Sequence, residues 1–279
     1  MRPGGVNCDH MGFSRGKREA DRQWSGCVLW WCMSSHFEEL DYRQTPLGAL
    51  SLRRRRVPKL DVDVLEILLG DEHLMSSLFT ASEIALARLG LGAIDGKSLD
   101  VVVGGLGLGY TAQAVLEDSK VASLLVVEAL DAVVEWHESG LLPLGPILKG
   151  DPRCRFVRGD FFALSASAAG FDTDAPSRLF DAILVDIDHA PDMLLNAGNT
   201  GFYRPEGLRS LAAHLHPGGV FGLWSNERPD DAFVARLARI FGEARAELVT
   251  FHNPLQDRSF TQTIYLARNE ETVARGGAE

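Results

Sequence analysis

Acidic side chains stand at the ends of three segments that are predicted to be strands. Glu128, Asp160 and Asp186 each occupy such a position. The carboxyl ends of parallel strands meet at one edge of a sheet, which is where doubly wound sheets bind ligands. Carboxylates at this edge can accept hydrogen bonds from hydroxyl and amine groups of a ligand, or take up a proton during a reaction.

A glycine-rich turn precedes these acids in the chain. The apolar run Val101–Val103 predicts a buried parallel strand, and Thr111–Leu116 predicts the start of a helix. The glycines between them are Gly104, Gly105, Gly107 and Gly109. A strand that turns on glycines into a helix is typical of the phosphate- or nucleoside-binding corner of a doubly wound fold, because a Cβ there would block the ligand and forbid positive φ. A simple tight turn is the alternative.

The residues around this turn favour a single nucleoside as the ligand. Glu128 lies 19 residues beyond Gly109, where an acid accepts hydrogen bonds from ribose hydroxyls. The glycine turn and Glu128 alone would also fit NAD as the ligand, but Tyr110 stands where a dinucleotide-binding loop would have its last glycine. Asp160 can accept a hydrogen bond from the exocyclic amine of adenine, and Phe161 would be an apolar neighbour of the base. A helix N-terminal charge at Glu128 and a turn residue at Asp160 are the alternatives.

The segment after the fourth predicted strand is the candidate for catalysis. Asp186, Asp188 and His189 follow one another closely at its end. One carboxylate could orient a cationic amine and take its proton as the amine attacks, and neighbouring carboxylates raise each other's pKa. A polar loop is the alternative, and His189 taken alone is more typical of a loop residue. No further ligand cluster supports a metal site, so none is predicted.

Composition and charge restrict the class of protein. The 279 residues are 46% hydrophobic and 24% charged, as in ordinary globular proteins. The net charge of −10 argues against broad nucleic-acid binding and is compatible with a cationic substrate. The four cysteines lack metal-ligand spacing, which favours a reducing, cytoplasmic compartment. No apolar run is long enough to span a bilayer, so no membrane partner is expected.

The pattern along the chain predicts an α/β protein. The predicted segments are 1–32, 33–70, 71–268 and 269–279. Residues 1–32 are interpreted as a disordered arm or as sequence upstream of a true start at Met33. Residues 269–279 are interpreted as a loose tail. The pattern of residues 33–70 predicts a small β domain. The pattern of residues 71–268 predicts a helix from about Ser76 to Leu89, followed by alternating strands and helices. The fold class is therefore a doubly wound, mostly parallel sheet with a small N-terminal β appendage.

The order of these motifs resembles the polyamine aminopropyltransferase (spermidine synthase) family, which has the class I S-adenosylmethionine-dependent methyltransferase fold. The resemblance covers residues about 41–267. The matching motifs are Asp71-Glu72, the helix with Glu83, the glycine turn, Glu128, Gly159-Asp160, Phe180–Asp186 and Pro217-Gly218-Gly219. The resemblance implies that Glu128 holds the ribose of a sulfonium nucleoside, that Asp160 holds its adenine, and that Asp186 helps to deprotonate the attacking amine.

This chain departs from the family's pattern on the acceptor side. The family's Gly-Gly-Gly-Asp-Gly-Gly loop has an acid that helps to place the amine, whereas Leu106 or Leu108 stands there in this chain. The family's Asp-Ser-Ser-Asp-Pro motif is replaced by the run from Asp186 to Pro191. The family's Tyr-His is absent before Glu83. The nucleoside half of the motif set is therefore kept, and the polyamine half is not.

The resemblance implies a transferase that moves an aminopropyl group from decarboxylated S-adenosylmethionine to a small amine at an atypical acceptor site. An S-adenosylmethionine-dependent methyltransferase and a non-catalytic nucleoside-binding protein are the alternatives, and an NAD-dependent oxidoreductase is a more distant one. The implied co-substrate is decarboxylated S-adenosylmethionine or S-adenosylmethionine, without a metal. The family resemblance also suggests a homodimer.

Overall fold

The computed structural model describes residues 37–270 of the chain. The predictions for residues 1–32 and for most of the tail lie outside these residues. A small antiparallel sheet comes first, with its strands in the order β1-β2-β3-β4. These strands are β1 (Phe37–Thr45), β2 (Gly48–Val57), β3 (Val62–Leu69) and β4 (Glu72–Ser76). Strands β1 and β2 form a hairpin, in which Thr45 pairs with Gly48 across the turn.

A larger α/β layer follows the small sheet. Its elements are α1 (Ala81–Gly92), β5 (Leu99–Gly104), α2 (Tyr110–Leu116), β6 (Val121–Glu128), α3 (Asp131–Glu138), α4 (Gly145–Gly150), β7 (Cys154–Arg158), α5 (Phe161–Ala166), β8 (Phe180–Val185), a 3-10 turn (Ala197–Gly201), α6 (Pro205–Ala212), β9 (Leu215–Ser225), α7 (Asp231–Phe241), β10 (Gly242–Asn253) and β11 (Arg258–Asn269). Strands and helices alternate as the sequence predicts, and the chain closes with an antiparallel hairpin.

The seven strands of the central sheet lie in the order β10-β11-β9-β8-β5-β6-β7. The five strands from β9 to β7 run parallel, and β11 pairs antiparallel with β9. Both faces are covered, because Val101 and Val103 of β5 belong to one apolar core while Val102 belongs to the other. The predicted fold class, a doubly wound, mostly parallel sheet with a small β appendage, is confirmed.

The boundary between the two sheets differs from the prediction. The small sheet continues to Ser76, beyond the predicted limit at residue 70, and α1 begins at Ala81 instead of near Ser76. Strand β4 was missed because five residues are too few to show a clear alternating pattern. Helix α6 stops at Ala212, and the motif at residues 217–219 lies within β9. The short helices α4 and α5 were also missed.

Candidate active site

A cavity of about 350 Å³ lies at the carboxyl ends of the central strands. Residues at the ends of β5, β6, β7, β8 and β9 line it, together with side chains of the small sheet. The acids among the lining residues are Glu83, Glu128, Asp160 and Asp186. Within the described part of the chain, no lysine or arginine lines this cavity, so its four carboxyl groups have no such cation beside them in the lining.

The glycine loop, residues 104–109, turns from β5 into α2 in left-handed backbone conformations. The φ angles are +91° at Gly105, +47° at Gly107 and +95° at Gly109, which L side chains rarely adopt. Close packing also requires glycine, because a Cβ on Gly105 would lie 2.2 Å from the carbonyl oxygen of Asp186. A Cβ on Gly104 would lie 2.6 Å from the Phe161 ring. Gly105 and Gly107 line the cavity, whereas Gly104 and Gly109 shape the loop from behind.

Two side chains from other elements hold the glycine loop in place. His137 of α3 is fully buried, and its Nε2 lies 2.9 Å from the carbonyl oxygen of Gly107. Because a carbonyl oxygen only accepts, Nε2 carries the proton, and burial lowers the pKa of His137 so that the ring stays neutral. On the other side, the Leu108 backbone N–H donates to the Met75 sulfur of β4 at 3.1 Å. The small sheet is thus in direct contact with the loop.

Glu128 is buried at the end of β6 and bonds to backbone amides on both sides. Its Oε2 accepts from the Leu106 N–H at 2.9 Å, and its Oε1 accepts from the Leu130 N–H at 2.8 Å. Burial raises the pKa of Glu128, while these backbone bonds act in the opposite direction. A carboxylate oxygen has two lone pairs. Each oxygen of Glu128 can therefore accept one further hydrogen bond, as from a pair of ribose hydroxyls.

Asp160 and Phe161 lie beside each other at the end of β7. Asp160 caps α5, since its Oδ1 accepts from the N–H groups of Phe162 at 2.8 Å and Ala163 at 3.4 Å. The capping role occupies one oxygen of Asp160 and leaves the other for a ligand amine. The buried Phe161 ring lines the cavity and stacks on Phe171 with centroids 5.0 Å apart.

Asp186 and Glu83 form an acid pair in the cavity, in which Glu83 is buried and Asp186 is partly exposed. Asp186 follows β8, and its Oδ2 accepts from the Thr111 hydroxyl at 2.7 Å. Burial raises the pKa of Asp186 to about 6, although the Thr111 bond lowers it. Glu83 comes from α1, and burial together with the Asp186 charge raises its pKa to about 7. Both acids therefore titrate close to neutrality, in the range suited to proton transfer.

The hydrogen bonds around Glu83 agree with a proton on this side chain. The Ser82 hydroxyl lies 2.8 Å from Glu83 Oε2 and 2.6 Å from Gln262 Oε1. The Gln262 amide is oriented by its Nε2, which donates to Asn226 Oδ1 at 3.0 Å. One hydroxyl proton cannot serve two acceptors. A neutral Glu83 satisfies both contacts, whereas an ionised Glu83 leaves one of them without a proton.

The remaining predicted residues after β8 have different environments. Asp188 is buried, accepts from the Tyr203 hydroxyl at 2.9 Å and from the Leu195 N–H at 2.8 Å, and does not line the cavity. It holds the following loop in place. His189 does line the cavity, and its Nε2 lies 2.9 Å from Glu72 Oε1 of β4. The structure thus brings Asp186 and His189 to the cavity but turns Asp188 away from it.

Three residues of this site lacked an assigned role in the sequence analysis. Glu83 was part of the family resemblance only, and its contact with the site depends on α1 packing closely over β8. Met75 lies on the strand that the sequence pattern missed. The sequence does not single out His137, because a histidine that contacts a functional loop has the same local pattern as any other histidine in an amphipathic helix. The Glu83 motif was the one signal that could have identified a site residue.

Neither a metal-ligand cluster nor a membrane-length helix occurs within residues 37–270. These residues contain no group of three or more histidine, cysteine, aspartate or glutamate side chains that could hold a metal ion. None of their helices is long and apolar enough to cross a membrane.

The comparisons with known proteins identify the fold. The sequence matches no protein-family model and no curated protein. A crystal structure of spermidine synthase in complex with the transition-state analogue AdoDATO matches with a TM-score of 0.64 at 17% identity, over 83% of this chain and 73% of that chain. Spermidine synthase from Thermotoga maritima matches with a TM-score of 0.63 at 16% identity, over 83% of this chain and 72% of that chain. This chain therefore has a spermidine-synthase-like fold.

Proposed function

We propose that this protein is a transferase that moves the aminopropyl group of decarboxylated S-adenosylmethionine to an amine. The observation that carries the proposal is the acidic lining of the cavity, which includes four carboxylates and, among the described residues, no lysine or arginine. Both reactants are cations, and a cavity of this charge favours them. The co-substrate supplies a carbon activated by a sulfonium leaving group.

The acidic lining favours the decarboxylated form of the co-substrate over S-adenosylmethionine itself. The amino acid carboxylate of S-adenosylmethionine would need a cationic or multiple N–H partner near the glycine loop. The acid pair of Glu83 and Asp186 would repel it, since like charges in a buried site are unfavourable. The same pair would stabilise the ammonium of an aminopropyl chain, which favours aminopropyl over methyl transfer.

Each part of the cavity has a distinct task in this proposal. Glu128 accepts hydrogen bonds from the ribose hydroxyls, and Asp160 accepts one from the adenine amine beside Phe161. Of the acid pair, Glu83 faces the ammonium of the donor, and Asp186 accepts the proton of the attacking amine. A base with a pKa raised to about 6 takes a proton more readily than an ordinary aspartate. Perturbed acids in a cavity favour an enzyme over a non-catalytic nucleoside-binding protein.

Replacing Asp186 by Asn tests the assigned base. The variant removes the proton acceptor but keeps the side-chain shape, so turnover should fall by roughly a hundredfold or more. Binding of methylthioadenosine, the uncharged nucleoside product, should change less than about threefold. Turnover is measured as methylthioadenosine released from decarboxylated S-adenosylmethionine and an amine, and binding by calorimetry.

A matched control uses an aspartate outside the cavity. Asp95 is exposed before β5, at the opposite edge of the sheet, and Asp95→Asn should leave both measurements unchanged. Unchanged turnover in Asp186→Asn would remove Asp186 from its role. Failure of the wild-type protein to bind methylthioadenosine would contradict the proposed function as a whole. The cytoplasmic location, the homodimer and the lack of nucleic-acid or membrane partners stay predictions.

A further inference from the structure

Strand β4 forms one wall of the cavity, between the glycine loop and the segment that follows β8. At one end of the strand, Glu72 lies 2.9 Å from His189, which follows β8. Near the other end, Met75 accepts from the Leu108 N–H of the glycine loop at 3.1 Å. Leu74 lies between these two contacts and lines the cavity. The strand is therefore held across the space in which donor and acceptor must meet.

This wall is apolar throughout. The small sheet and the glycine loop contribute to the cavity lining only glycines and the side chains of Pro46, Leu47, Ile67, Leu74, Met75 and Leu106. Leu106 is 4% exposed, so its side chain is packed against its neighbours. A cation placed against this wall would lose its hydration without gaining a counter-charge, which is strongly unfavourable.

The carboxylates of the cavity are all committed to other groups. Glu128 and Asp160 already accept from backbone amides at the nucleoside end. Glu83 and Asp186 are the remaining acids in the lining, and the proposed reaction needs them for the donor ammonium and the attacking nitrogen. Glu72 does not itself line the cavity, and its carboxylate is paired with His189, which does. The described lining thus has no acid left for a second charge on the acceptor.

Building on the proposed function, we propose that the acceptor is a primary monoamine with an apolar body, such as an alkylamine or arylalkylamine, and not a diamine. The amine nitrogen forms a bond to the propyl carbon while the bond between that carbon and the sulfur breaks. The sulfur keeps the electron pair and leaves as methylthioadenosine. The proton of the nitrogen goes to Asp186, and the apolar body of the secondary amine product lies against β4 and the glycine loop.

The test compares two amines of the same length with the wild-type protein. Pentylamine and 1,4-diaminobutane differ only in whether the far end is a methyl or an ammonium group. With decarboxylated S-adenosylmethionine as donor, kcat/KM for methylthioadenosine release should be roughly tenfold or more higher with pentylamine. Equal or higher kcat/KM with the diamine overturns this inference but leaves the proposed function intact. Absence of methylthioadenosine release with every amine overturns both.

A pair of variants gives a second, independent measurement. Leu74→Glu adds a carboxylate to the apolar wall, and Leu74→Gln adds a similar shape without the charge. The ratio of kcat/KM for the diamine to that for the monoamine should rise at least about fivefold in the Glu variant relative to the Gln variant. An unchanged ratio in two folded variants would show that the second ammonium does not meet this wall and would overturn the inference.

Discussion

Glu83 and Asp186 have pKa values that depend on each other, because the charge of one carboxylate acts on the other inside the cavity. Asp186 ionises first, and its charge then adds to burial in raising the pKa of Glu83 to about 7. Between about pH 6 and 7 the pair holds close to one proton and one negative charge. Binding of a cationic ligand favours the doubly ionised form, so the site releases a proton as it fills. The pair couples ligand charge to its own protonation.

Replacing Glu83 by Gln should stabilise the fold at about pH 8 while slowing turnover. The folded pKa of Glu83 is raised above its ordinary value of 4.5, so the fold loses stability as the pH rises from about 4.5 through about 7. Glutamine does not titrate and still bonds to Ser82, which should add roughly 1–3 kcal/mol at about pH 8 and much less at about pH 5. Scanning calorimetry at both pH values measures this difference. A variant that is less stable at about pH 8 would contradict the assigned burial of the charge.

At the level of elements, the glycine loop depends on α3 as well as on its own sequence. The Gly107 carbonyl accepts from the buried His137, and a Cβ on Gly109 would lie 3.0 Å from the ring of this histidine. The ring therefore fixes both the direction of the carbonyl and the space behind the loop. Loss of the His137 proton donor would leave a buried carbonyl without a partner.

His137→Phe should therefore weaken methylthioadenosine binding by roughly tenfold, in addition to a stability loss of about 1–3 kcal/mol. His214 gives a matched control, because it is also buried and its Nε2 lies 3.1 Å from the Ser165 carbonyl oxygen, outside the cavity lining. His214→Phe should lose similar stability and keep its affinity for methylthioadenosine. Equal affinity losses in the two variants would show that His137 acts only through global stability.

The strands and the positions of Glu128 and Asp160 at strand ends were predictable from sequence because local patterns specify them. Val101–Val103 is a continuous apolar run that is followed by glycine, Glu128 follows the apolar run 124–127, and Asp160 follows the short segment 155–159. The position of Glu83 was not predictable in this way. It depends on the close approach of α1 to the sheet, where a Cβ on Gly90 would lie 2.6 Å from the Leu184 side chain. Such a long-range contact leaves no periodic signal near Glu83.

At the scale of the whole molecule, the acidic cavity lies in a chain of net charge −10. The negative charge of the cavity and that of the whole chain both attract cations, which include the amine and the decarboxylated S-adenosylmethionine of the proposed reaction. Methylthioadenosine carries no charge. Salt screens such long-range attraction, with a screening length of about 10 Å at 0.1 M. Charge should therefore affect encounter with the reactants but not retention of the product.

Raising the ionic strength from about 0.02 to about 0.5 M should lower kcat/KM for the amine severalfold. The dissociation constant of methylthioadenosine should change less than about twofold over the same range. Steady-state rates and calorimetric titrations in the same buffers measure both quantities. An amine kcat/KM that is independent of salt would show that the charge of the molecule contributes nothing to substrate capture.

The most direct test of the account is the identity of the transferred group. The wild-type protein is incubated with an amine and equal amounts of S-adenosylmethionine and its decarboxylated form, and the products are identified by mass spectrometry. The acidic lining predicts an aminopropylated amine together with methylthioadenosine in equal amounts. A methylated amine together with S-adenosylhomocysteine would contradict the account, as would the absence of both products.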